Sequence, residues 1–172
     1  MCIRDRCYDL RYLVFRFSNV YGRYDVDIER MERVIPLFIR RIASGAPITI
    51  YGEQKVLDFT YVDDCVAGVA RGLELLTSGE AANQTINLAY GQGNSLVTLA
   101  EAIGAALGVA PNLTLAPARV GEGTHYVADI AKARALLGYE PRVPLGEGIP
   151  RAVAWATNYW EKQKKGTTDY TD

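Results

Sequence analysis

Apolar and polar positions switch between two periods along the chain, and the switches predict its elements. Tyr12 to Phe17 is a dense run of aromatic and β-branched residues that ends in Ser18-Asn19, which predicts a buried strand whose carboxyl end opens into a loop. Residues 22–33 are mostly charged and lack an apolar period, so they read as a loop. From Val34 the spacing of Val34, Leu37, Phe38 and Ile42 is helical, with Pro36 in the first turn, where its missing N–H costs little, and Gly45 as the stop. Ile48 to Tyr51 predicts a strand and Gly52 to Lys55 its turn. Leu57, Phe59 and Tyr61 alternate with Asp58 and Thr60, a second strand with one covered face. Asp63-Asp64 then reads as a helix cap, followed by an inward stripe of Val66, Val69, Ala70, Leu73 and Leu76. Thr85 to Leu88 predicts a strand, Gly91-Gln92-Gly93 a strand-to-helix connection, and Leu96, Leu99, Ile103 and Leu107 a helix face that stops at Gly108. Leu113 to Leu115 reads as a strand, Asp129 as the cap of a helix ending at Gly138, and Leu145 to about Gln163 as a last helix before a polar, frayed tail.

Strands and helices therefore alternate, the pattern of an α/β chain with parallel pairing, and there is no internal repeat or long linker. A doubly wound domain needs several βαβ units before it closes. This chain opens on a strand that already reads as interior, so the expectation is a fragment cut at its N-terminus. Composition narrows the partners. Nineteen Lys and Arg against 20 Asp and Glu leave a net charge of -1 and no general cationic field for nucleic acid. No apolar run approaches the roughly 20 residues of a membrane helix, and the opening residues lack a secretion signal, so a cytoplasmic protein is expected. Three scattered cysteines, Cys2, Cys7 and Cys65, suit reduced thiols, with Cys65 as a small core residue. One histidine, His125, and no Cys-x-x-Cys make a metal site unexpected, and His125 reads as a loop residue.

Three ordered segments carry a family resemblance over roughly Tyr12 to Trp160: Arg16-Phe17-Ser18-Asn19-Val20-Tyr21-Gly22; Ile48-Thr49-Ile50-Tyr51-Gly52 running into Asp58-Phe59-Thr60-Tyr61-Val62-Asp63-Asp64; and Arg119-Val120-Gly121-Glu122 with Ala128-Asp129-Ile130-Ala131-Lys132-Ala133 and Leu137-Gly138-Tyr139-Glu140-Pro141. Together they resemble the second half of the extended short-chain dehydrogenase/reductases, the NAD-dependent nucleotide-sugar epimerases, dehydratases and decarboxylases of the UDP-glucose 4-epimerase type. The fold this implies is the C-terminal part of a Rossmann-like doubly wound sheet, interleaved with a small α/β substrate-binding domain over residues 7–163, the N-terminal cofactor half being missing. Residues 1–6 match nothing in the family and read as non-native or disordered, and residues 164–172 as a polar tail.

The resemblance also implies roles. Asn19, at a strand's carboxyl end, would hydrogen-bond the substrate. Val34 opens the turn whose N–H groups meet phosphate, since helix N-termini suit anions. Tyr51 would lie against the nucleotide base, Arg119 would bind phosphate and Glu122 would meet the ribose. Phe17 and Ser18 would lie beside the nicotinamide end of NAD. Each residue also has a plainer reading: Asn19 as a loop cap, Tyr51 as a half-buried strand ring, Arg119 paired with Glu122 on the surface. The family's glycine-rich cofactor loop and catalytic Tyr-x-x-x-Lys would precede residue 1, so no catalytic residue is assigned in this chain. Tyr51 and Lys55 satisfy that spacing by letter, but Gly52 in a strand-turn context spoils the helix the motif needs. Many members carry a phosphate-binding arginine just before the Asp-Phe pair, where this chain has Leu57; Lys55 is the nearby cation, without arginine's fork.

The activity so implied for the intact parent is 4-epimerisation of a UDP-hexose or UDP-hexuronate through a 4-keto intermediate. A dehydratase or decarboxylase of the same family, a reductase acting on a non-nucleotide substrate, and a non-catalytic binding fragment stand as alternatives. A homodimer is an expectation for the parent only.

Overall fold

The computed structural model describes residues 10–25, 33–164 and 166, so the expectations for residues 1–6, for 26–32 of the charged loop, and for the tail at 165 and 167–172 lie outside the described residues. The elements are β1 (Leu13–Phe17), β2 (Asn19–Tyr21), α1 (Val34–Ala43), β3 (Ile48–Tyr51), β4 (Val56–Tyr61), α2 (Val62–Ser78), β5 (Gln84–Leu88), β6 (Gly93–Ser95), α3 (Leu96–Leu107), β7 (Leu113–Ala116), β8 (His125–Tyr126), α4 (Ala131–Leu137) and α5 (Leu145–Lys164).

Parallel pairing dominates. β1 pairs with β5, β2 with β4, and β3 with β7, each in parallel, while β4 also takes β6 antiparallel and β8 parallel at Val56 and Leu57. β4 is thus the hub: its first half is flanked by β6 and β8, its second half by β2. Two cores follow. In the larger, α1, α3 and α5 pack Phe38, Ile42, Leu99, Ile103, Ile149 and Val153 onto Ile48, Ile50 and Phe59. In the smaller, α2 and α4 pack Leu75, Ala133 and Leu137 onto Ile86 and Leu88. Local signals end the helices as expected: Gly45 N–H donates to the Ile42 carbonyl and Ala46 N–H to that of Arg41, the paired bonds that close a helix on a left-handed glycine. Ser95 caps α3, its Oγ accepting from Thr98 N–H at 3.0 Å.

Four expectations change. β4 is covered on both faces, because Asp58 and Thr60 are fully buried beside Phe59 and Tyr61. Both polar groups are satisfied internally. The Asp58 carboxylate accepts three backbone N–H groups, from Tyr90 (3.1 Å), Gly91 (3.0 Å) and Ala128 (3.2 Å), and the Thr60 hydroxyl lies 2.6 Å from that of Ser18. α2 is rotated from the face its apolar stripe predicts. Val66 is 56% and Leu73 60% exposed, while Cys65, Gly68, Gly72 and Leu75 are buried. The helix lies too close to β1, β5 and Tyr139 for larger side chains: a Cβ on Gly68 would stand 2.8 Å from Leu88 Cδ2, and one on Gly72 2.4 Å from Phe15 Cζ.

Asp63 and Asp64 do not cap α2, whose N-cap is Tyr61 without a side-chain hydrogen bond. Instead Asp63 pairs with Arg23 at 2.7 Å, and buried Asp64 accepts the N–H groups of Arg142 and Val143, tying the approach to α5 onto α2. The N-cap of α4 is Ile130 rather than Asp129, which stands one residue earlier and accepts Ala131 N–H at 2.8 Å. Finally β2, β6 and β8 are strands where loop or connection was expected; His125 is an exposed residue of β8. Cys65 is buried as expected, and burial pushes its thiol up.

Two stability measurements check this account. Asp58→Asn keeps the volume but replaces one carboxylate oxygen by a donor facing an N–H, and urea titration should show a loss of about 3 kcal/mol. On α2, Gly68→Leu should cost about 3 kcal/mol through overpacking, whereas Leu73→Lys should stay within about 0.5 kcal/mol. A reversed order would return the apolar stripe to the core.

Candidate functional site

The parallel register of β3 on β7 sets Tyr51 opposite Ala116, so the loops leaving both strands emerge side by side. Gly52 joins them. Its N–H donates to the Ala116 carbonyl at 2.9 Å, its φ of +77° is a left-handed conformation, and a Cβ there would lie 3.1 Å from that of Ala118. Lys55 N–H closes the turn on the Gly52 carbonyl, and Val56 N–H bonds the Thr124 carbonyl at 2.8 Å, which pins the far end of the second loop to β4.

This joint assembles four side chains. The Arg119 guanidinium carbon lies 4.0 Å from the centre of the Tyr51 ring, a cation over a ring face. Glu122 receives both cations, Oε2 from Lys55 Nζ at 2.9 Å and Oε1 facing Arg119 Nη1 at 3.7 Å. The hydrogen bond from Lys55, helped by the Arg119 charge, holds the Glu122 carboxyl below its ordinary range. Tyr51, Arg119 and Glu122 are thus brought together, and Lys55 joins them. The surface pairing of Arg119 with Glu122 is formed as well, within a larger cluster. Lys55 sits in a turn after Gly52, so the Tyr51 to Lys55 spacing is not helical.

A second group is organised by β4. Asn19 Nδ2 donates to the Asp58 carbonyl at 2.9 Å, which orients the amide and leaves its carbonyl oxygen without a hydrogen bond among the described residues. Ser18 is held by Thr60, and Phe17, 47% exposed, stands at the carboxyl end of β1. Val34 opens α1 with its side chain half-buried against the larger core. Its N-cap, Arg33, has no side-chain cap bond but pairs with Asp25 at 3.0 Å and donates to the Val20 carbonyl. Desolvation raises the Asp25 carboxyl, against the lowering effect of Arg33. Leu57 is half-buried between Asn94 of β6 and Tyr126 of β8, packed on the larger core.

Sequence reasoning missed three features here. Tyr24 meets the edge of Trp155, which stacks on Tyr159, each pair with ring centres 5.2 Å apart, and the four-residue spacing of Trp155 and Tyr159 on α5 was the hint. Buried Tyr21 and Tyr139 have phenol oxygens without a hydrogen-bond partner among the described residues, and burial pushes both phenols up, a fact no pattern shows. The anchoring roles of Asp58 and Asp64 are long-range and invisible to spacing. Among the described residues no three His, Cys, Asp or Glu side chains gather as metal ligands, and no helix is long and apolar enough to cross a membrane.

Parallel strands whose carboxyl-end loops carry polar and cationic groups define an α/β protein of the Rossmann-like class. The sequence profile of the NAD-dependent epimerase/dehydratase family matches residues 3–89, about half of the chain, and the chain belongs to that family. A dTDP-glucose 4,6-dehydratase of an Actinoplanes species is 31% identical over 145 residues, covering 83% of this chain and 43% of that protein. The UDP-glucose 4-epimerase of Thermotoga maritima, solved with UDP-glucose, superposes with a TM-score of 0.80 at 29% identity, covering 91% of this chain and 49% of the other. The UDP-glucuronic acid 4-epimerase of Bacillus cereus, solved with UDP-glucuronic acid and NAD, gives a TM-score of 0.80 at 25% identity over 91% of this chain and 48% of the other. The chain spans about half the length of the curated relatives it matches.

The Glu122 carboxyl offers a direct check. In Lys55→Met, an NMR titration should move it up to the ordinary glutamate range, because the hydrogen bond from Lys55 is the largest cause of its depression. An unchanged titration would remove Lys55 from the cluster.

Proposed function

We propose that this chain supplies the nucleotide-sugar-binding part of an NAD-dependent 4-epimerase acting on a UDP-hexose or UDP-hexuronate through a 4-keto sugar. The observation that carries the reading is the linked cluster in which Glu122 joins Lys55 to Arg119 and Arg119 stands over the Tyr51 ring. A nucleoside diphosphate sugar needs cations for its phosphates, a ring for its base and an acceptor for its ribose hydroxyls. All three chemistries meet at the Gly52 joint.

In this reading Arg119 binds the diphosphate, Tyr51 lies on the base, Glu122 accepts from the ribose, and the first turn of α1 at Val34 turns its N–H groups to phosphate. Asn19 offers its amide oxygen to a sugar hydroxyl. Residues 7–163 would form interleaved Rossmann-type and substrate-binding parts. NAD fits at the carboxyl ends of parallel β1 and β5, where exposed Phe17 and the fixed hydroxyl of Ser18 present an apolar face and a polar edge. The chemistry it would supply there is reversible hydride acceptance at sugar C4. Phe17 and Ser18 would position its nicotinamide end, while the tyrosine-lysine pair that moves the hydroxyl proton and the glycine-rich phosphate loop would come from another part of the parent. Dehydration remains the second reading, favoured by the identity to the Actinoplanes dehydratase.

Calorimetric titration of the chain with UDP-glucose and UDP-glucuronate should show binding that Arg119→Ala weakens about tenfold or more. The full-length parent protein should interconvert C4 epimers of one of these sugars. Loss of water with no epimer formed would select the dehydratase reading. Failure to bind either sugar would reject both.

A further inference from the structure

The four side chains at the Gly52 joint already contain an anion of their own. Glu122 divides its carboxylate between two cations from separate loops, Oε2 toward Lys55 and Oε1 toward Arg119. Without an anion between them the two cations would repel; a carboxylate with one oxygen for each offsets this, and so would a phosphate. The Arg119 guanidinium carbon also stands over the Tyr51 ring, 4.0 Å from its centre, and occupies one of its faces. The cluster is complete in itself.

The identity of the second cation follows from the strand. Position 57 is enclosed by sheet partners on both sides and carries an apolar side chain half-buried against the larger core. Lys55, two residues earlier, leaves the sheet at the turn, and its Nζ is the group that reaches the Glu122 carboxylate. A lysine supplies a point charge on a flexible stem rather than a planar fork, so it can follow an anion that moves.

We propose that Glu122 is an internal stand-in for phosphate that holds the site closed, and that a nucleoside diphosphate binds by displacing it from Lys55 and Arg119, with Lys55 as a specificity-determining phosphate cation. This rests on the nucleotide-sugar reading above and adds a self-occupied resting state to it. Displacement has two consequences. Arg119 moves from the ring toward phosphate, which bares Tyr51 for the base. Glu122, released from two cations, becomes free to accept from a ribose hydroxyl. A ligand with a diphosphate but no ribose therefore meets Glu122 only as a competitor, whereas a nucleotide recovers part of what the displacement costs.

The test is calorimetric titration of the full chain and its variants with inorganic pyrophosphate and, separately, with UDP. Glu122→Gln should bind pyrophosphate about tenfold tighter than the unaltered chain, with a smaller gain for UDP. Lys55→Met should weaken both about tenfold, and Lys55→Arg should restore them. Glu53→Gln makes the same charge change on an exposed side chain two residues from Lys55, and should alter pyrophosphate binding less than twofold. Circular dichroism confirms that each variant is folded. If UDP binds the unaltered chain but Glu122→Gln leaves pyrophosphate unchanged or weaker, the stand-in is rejected and the nucleotide-sugar reading survives. If Glu53→Gln tightens binding as much as Glu122→Gln, the effect is bulk charge and the stand-in is again rejected. If neither UDP nor pyrophosphate binds any folded variant, both readings fail.

Discussion

A single buried carboxylate holds the parts of this protein in register. Asp58 is fully enclosed in β4 and receives backbone N–H groups from Tyr90 and Gly91, after β5, and from Ala128, just after β8. Enclosing a charge is costly unless every lone pair finds a donor, and here three donors come from two segments distant in sequence. The same residue's carbonyl accepts the Asn19 amide. One side chain and its peptide thus fix where the β1 to β2 passage, the turn after β5 and the strand that ends the Arg119 loop meet. The two hydrophobic cores are separate clusters, and the bond from Ala128, which packs on the smaller, to Asp58, beside Phe59 of the larger, links them.

The candidate site inherits that order at its edges and departs from it at its centre. Asn19 and Ser18 are held directly by residues of β4, so their side chains are fixed by the same frame. Tyr51 ends β3 and Arg119 lies in the loop after β7, and that loop is tied to β4 where Val56 N–H bonds the Thr124 carbonyl. The Ser18 and Asn19 end is therefore built into the frame, while the Tyr51 and Arg119 end is held by ion pairs and a ring contact.

Much of this was legible in the chain. The long helices α1, α3 and α5 follow from apolar spacing, and the Phe17 to Asn19, Tyr51 and Arg119 to Glu122 segments follow from family motifs. What escaped did so for identifiable reasons. β2, β6 and β8 span only two or three residues, too few to show a period. The buried face of α2 escaped because hydrophobic patterning follows the largest apolar residues, while close approach to the sheet selects the smallest; Gly68 and Gly72, four apart, carried that signal. Asp63 and Asp64 resembled a cap because acidic residues suit a first turn, but Asp64 is committed to a segment 78 residues away. The link between Lys55 and Glu122 crosses 67 residues, a distance no local pattern encodes.

The joint at Gly52 ties two loop lengths together. Because its N–H is bonded to the Ala116 carbonyl and a Cβ on it would meet Ala118, the turn of residues 52–55 and the loop of residues 117–124 leave a common point and are tied together again where Val56 N–H bonds the Thr124 carbonyl. An insertion in either one would shear Tyr51 away from Arg119 unless the other changed to match. Across homologous sequences the two segments should therefore gain and lose residues in concert, so that the site diversifies by paired changes in length more readily than by lengthening one loop alone.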